Sequence, residues 1–166
     1  MFILYYMTMI DLLVVVITVF IVSVLLLFSS YLLDEISKNE IIQESHTAYK
    51  QINKTRDILF MWDDWMPYLI IGLVMAVVIG AYFIETHPVF FVVSLGMLVL
   101  FILMSDVFMF MYDEFANSDM FSGVVNNFLN LDVIWNNMAF IILIAGAIIL
   151  IVLYAKRGGG FGGPSY

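Results

Sequence analysis

The chain has 166 residues, of which 64% are hydrophobic and 12% charged. Soluble domains are about half apolar and a quarter charged, so a water-soluble fold of this length could not hide its apolar surface. A formal net charge of −8 with only six basic residues argues against nucleic acid as a partner, because phosphate binding needs clustered Lys and Arg. The absence of cysteine excludes a disulfide framework, a thiolate metal site and a cysteine nucleophile. The class these facts select is an all-α polytopic membrane protein, with the lipid bilayer as its first partner.

The first apolar run extends from Met1 to Leu33, interrupted only by Asp11. At 1.5 Å per residue it is roughly 50 Å long, too much for one upright crossing. The crossing is therefore placed at 12–33. Residues 1–10, with Tyr5 and Tyr6, lie at the interface, and Asp11 lies at the boundary where a carboxylate reaches water. The start lacks a basic n-region and a small-residue cleavage site, so the first helix reads as retained.

Residues 34–66 form a polar loop with helix-forming composition. Ile41, Ala48, Ile52 and Leu59 are spaced so that one helix face stays apolar. The expectation is a helix here, continuous with the first span.

The second span is placed at 67–84. Trp62, Trp65 and Tyr68 supply an aromatic belt at its start, and Pro67 suits a first helical turn. Gly72, Ala76 and Gly80 recur every four residues and line one face. Small residues at this spacing let helix backbones approach closely, which is a packing signal and not a chemical one. The short link Glu85-Thr86-His87-Pro88 makes spans two and three a hairpin. Glu85 and His87 alone are too few for a metal site.

The third span is placed at 89–110. Asp106 is the one acid inside its apolar run. Counted from Pro88 it lies about 27 Å along the helix, against a hydrocarbon core of about 30 Å. That depth favours a boundary carboxylate. The alternative is a polar or ion site completed by Asn136 or Asn137 at the start of span four. The methionines of this span (Met97, Met104, Met109 and Met111) do not share one face, so copper handling is not indicated.

Residues 113–133 are amphipathic and Asn-rich, suited to an interfacial helix or a short ordered loop. The fourth span is placed at 134–155, with Trp135 as its entry anchor and Lys156 and Arg157 at its exit. Ala145, Gly146 and Ala147 form a second small-residue patch for helix packing. The tail 158–166 is Gly-rich and flexible by composition. Orientation stays open: the basic residues of the first loop (Lys38, Lys50, Lys54 and Arg56) favour placing that loop on the cytoplasmic side, whereas Lys156 and Arg157 abut span four in a stop-transfer position.

No nucleophile–base pairing, zinc motif or phosphate loop is present. His46 sits in a polar stretch without a metal motif, and paired intramembrane histidines for haem are lacking. The sequence therefore implies no enzyme and no cofactor. It favours a structural or accessory subunit of a larger membrane assembly, either a virion membrane protein or a subunit of a membrane complex. The alternative is a small channel, holin-like pore or ion-coupling subunit, whose path Asp106 would line. Partners would be other membrane subunits or further copies of the chain.

Overall fold

The computed structural model describes residues 2–83 and 88–158, with side chains described for 10–83 and 91–155. All regular structure among these residues is helical: α1 (Phe2–Ser37), α2 (Glu40–Glu44), α3 (His46–Phe83), α4 (Pro88–Ala116), a 3₁₀ turn (Val125–Asn127), α5 (Leu129–Asn136) and α6 (Met138–Gly158). Four helices are long and apolar enough to cross a membrane, over Ile10–Ser37, His46–Phe83, Phe91–Ala116 and Met138–Ala155. The architecture is that of an all-α polytopic membrane protein. The link Glu85–His87, the side chains of Lys156 and Arg157, and the Gly-rich tail lie outside the described residues.

Helix boundaries follow local polar chemistry. α1 ends at Ser37, and Asn39 starts α2 by accepting the N–H of Ile41 on its side chain at 3.0 Å. Ser45 repeats the device for α3, accepting the N–H of Ala48 at 3.4 Å. The polar segment is thus helical, but it continues into the second span and not from the first. Ile41 falls on the separate α2 and is 77% exposed, so the apolar seam expected from 41 to 59 runs only through Ala48, Ile52 and Leu59 on α3. Pro67 lies deep inside α3 and not in its first turn. There it removes the backbone bond that would reach the Asp63 carbonyl, and the helix carries on.

The chain divides into two compact units. The first comprises Met1–Ile17, Ile70–Val107 and Met138–Tyr166. Its core is read from steps of three and four: Leu12, Val15 and Val16 on α1; Ser94, Leu98, Phe101 and Ser105 on α4; Met138, Ile142, Ala145, Ile149 and Leu153 on α6. Gly146 is buried against α4, and a Cβ added there would run into Leu98 Cδ1. The Ala145–Gly146 patch is therefore used within the chain.

The second unit comprises Thr18–Leu69 and Phe108–Asn137. α1 contributes Val19, Ser23, Leu26, Leu27 and Ser30 to its core, again one helical face. Around them is an aromatic cluster. Phe20 meets Trp135 edge-on at 5.7 Å and Phe108 at 5.3 Å, while Tyr112 stacks on Trp135 at 5.4 Å. Phe60 meets Phe128 at 5.6 Å, and Phe121 is packed between Tyr31 and Phe115. Such pairs add about 0.5–1.5 kcal/mol each beyond area burial. Arg56 ties α3 to the end of α1 through Asp34 at 3.3 Å and Ser37 at 3.2 Å. Hydrogen bonds to Asp34 and then Glu35 hold the Lys38 ammonium above its ordinary pKa.

Candidate functional site

The most developed polar constellation is in the second unit, where α3 receives α5. Phe128, which precedes α5, offers no side-chain cap. Asp63 does so from α3. Its two carboxylate oxygens accept the backbone N–H groups of Asn130 at 3.0 Å and Leu131 at 2.9 Å. These are the donors an N-cap side chain would satisfy, and a carboxylate is favoured at the positive end of a helix. The next residue, Asp64, accepts from the Asn130 amide at 3.3 Å. Asp63 is only 3% exposed, so its charge is placed where the α5 N-terminus compensates it.

The other end of α5 is fixed by Trp135. Its indole Nε1–H donates to Ser23 Oγ at 3.0 Å, and Ser23 in turn donates to the Val19 carbonyl at 2.7 Å. Trp135 was expected to face the membrane interface as an anchor. It is instead fully buried, because it belongs to α5 and not to the spanning α6, which begins at Met138. Tyr112, stacked on it, is 1% exposed, and its hydroxyl has no hydrogen-bond partner among the described residues. The cluster holds a carboxylate, an indole, a hydroxyl and a phenol, with no histidine and no nucleophile–base pair. Its geometry docks α5 against α3 and α1.

The remaining sequence-selected residues lie elsewhere. Asp106 is exposed on α4 in the first unit and accepts no hydrogen bond from any described residue. Its neighbour Ser105 is buried and donates to its own helix at Ile102, 2.7 Å away. Asn136 and Asn137 are exposed in the second unit, and the Asn137 amide is engaged with the Val133 carbonyl at 2.7 Å. Trp62, Trp65 and Tyr68 are 48%, 60% and 68% exposed, as outward aromatic residues would be.

Gly72 and Ala76 are exposed and Gly80 is half-buried. No described atom lies within 4 Å of a Cβ added at Gly72 or Gly80, so the stripe is not packed against any described residue. Ala147 is half-buried beside the packed Ala145 and Gly146. Among the described residues no group of three or more His, Asp or Glu side chains is placed to hold a metal ion.

Comparison with protein-family models, with curated proteins and with solved structures matches none of them.

Proposed function

We propose that the chain is a non-catalytic subunit that packs within a larger membrane assembly. The observation that carries the reading is the small-residue stripe: a Cβ placed at Gly72 or Gly80 meets no described atom within 4 Å, although their spacing suits close helix contact. The helix that carries it is sparsely covered. In the most apolar stretch of α3 and of α4 only 22% is buried, against 39% in α1 and α6. Lipid covers such faces without specificity. A stripe of small residues adds a place where a second backbone fits, through dispersion and Cα–H···O contacts. The partner is another membrane subunit or a further copy of the chain. A virion membrane and a cellular membrane complex both provide such neighbours.

The test is extraction in a native-lipid particle through a tag in the polar segment, followed by mass determination and identification of what comes along. The reading expects a fixed set of partners, lost when Gly72 and Ala76 are both replaced by leucine. A homogeneous monomer would refute it.

One observation favours a second reading. Asp106 pairs with no described residue and sits on an exposed α4 face with Leu103, Val107 and Phe110 at 62%, 53% and 68% exposure. In a ring of copies, such a carboxylate would line a polar path. That reading requires a conductance that changes with Asp106→Asn.

A further inference from the structure

One exposed stripe of α3, lying wholly in the second unit, changes character along its length. Lys50, Lys54, Ile58, Met61, Trp65 and Tyr68 follow one another at steps of four, four, three, four and three, and all are exposed. The stripe therefore occupies one helix face and runs from cationic to aliphatic to aromatic. Two open clefts lie along it. One, of about 440 Å³, is lined by Lys50 and Lys54 with His46, Thr47 and Gln51. The other, of about 680 Å³, is lined by Met61, Trp62, Trp65 and Tyr68 with Ile58 and Leu69.

The charges on this face are not neutralised internally. Lys38 and Arg56 are paired with Asp34 and Glu35, whereas Lys50 and Lys54 form no ion pair with a described residue. Asp64 lies off the stripe and is engaged with Asn130. Asp57, three residues beyond Lys54, borders the stripe and forms no ion pair with a described residue.

We propose that this stripe binds a phospholipid of net anionic headgroup, with its phosphate drawn to Lys54, Lys50 adding longer-range attraction from one turn further out, and its glycerol and upper acyl region lying in the Met61–Trp65–Tyr68 cleft. Aromatic residues with one apolar and one polar side settle at headgroup depth. The headgroup layer is about 5–7 Å thick per leaflet. A lysine side chain spans roughly 6 Å more by its bond lengths. Lys54 lies eight residues before Trp62, or about 12 Å of helix rise, which those two lengths bridge. Charge complementarity selects the anionic class. A lysine at the surface enriches anionic lipid roughly fivefold, and salt screens the effect. The contact is made by Lys54, with Lys50 behind it, on a polar segment (34–66) that is acidic overall.

The test uses the full chain in nanodiscs of fixed overall composition, part phosphatidylglycerol and part phosphatidylcholine, with bromine on the acyl chains of one lipid or the other. Quenching of tryptophan fluorescence reads which lipid sits beside Trp62 and Trp65. A Trp62→Phe/Trp65→Phe variant supplies the Trp135 background. The expected result is that brominated phosphatidylglycerol quenches as if enriched about fivefold or more over its bulk fraction. Lys50→Gln/Lys54→Gln, a surface change, brings it back to the bulk value, and so does 0.5 M salt. Quenching that follows bulk composition in the unmodified chain overturns the proposal, as does an excess that persists in the Lys50→Gln/Lys54→Gln variant.

Discussion

Replacing Asp63 by alanine isolates what holds α5 in place. The substitution removes two charge-assisted hydrogen bonds, at 3.0 and 2.9 Å, to the first turn of α5. Loss of an ordinary N-cap costs about 0.5–2 kcal/mol, and a hydrogen bond to a charged group contributes about 1.5–3 kcal/mol. The two N–H groups fare differently afterwards. Leu131 is fully buried, so its donor is left unsatisfied, while the half-buried Asn130 can still reach water. Removing a buried carboxylate also recovers part of its desolvation cost. The net expectation is a local loss of about 3 kcal/mol, which is roughly two decades in an opening equilibrium.

Hydrogen exchange followed by mass spectrometry in nanodiscs reads this directly. Amides of α5 should exchange about a hundredfold faster in Asp63→Ala, while peptides from the middle of α6 stay within about threefold of the unmodified chain. Asp63→Asn keeps one acceptor and should fall between the two. An unchanged α5 rate would refute the capping role. Equal acceleration in every helix would show instead that Asp63 supports the whole fold.

Further outcomes follow from the same packing. Tyr112→Phe removes a buried hydroxyl that has no partner among the described residues, so thermal unfolding should move up or stay level, by up to about 1 kcal/mol equivalent. Ser23→Ala orphans the Trp135 indole N–H and should lower stability by about 1–2 kcal/mol, read by Tm in detergent. Gly146→Leu places bulk where Leu98 already sits, and should cost about 1–3 kcal/mol, whereas Gly72→Leu should leave the isolated chain's Tm unchanged. Arg56→Gln breaks a partly exposed pair and should change Tm by under about 1 kcal/mol equivalent, less at high salt.

The spans were legible because long apolar runs have few readings other than membrane crossing. Trp135 misled for a physical reason. Tryptophan beside a span usually marks the interface, but the chain breaks at Asn137, and the short α5 before the break turns its indole inward. The amphipathic stretch before it was visible, yet its separation from α6 was not. Asp63 was hidden within Trp62-Asp63-Asp64-Trp65, which reads as a polar turn of an aromatic belt. A usable signal was present: Leu59, Asp63 and Met66 fall at steps of four and three, which puts Asp63, and not Asp64, on the inward face. Its partner could not be read, because 67 residues separate it from Asn130. The small-residue stripe was visible as a packing surface, but only coordinates tell that Gly146 is filled by the chain's own Leu98 while Gly72 is open.

The central claim is that the open α3 face belongs to a larger assembly. The direct measurement is the mass and composition of particles extracted with native lipid, for the unmodified chain and for Gly72→Leu/Ala76→Leu. The account predicts a fixed stoichiometry with partner subunits or further copies, and its loss in the double variant while the chain itself stays folded. A single homogeneous monomer, or an assembly indifferent to leucine at both positions, would contradict it.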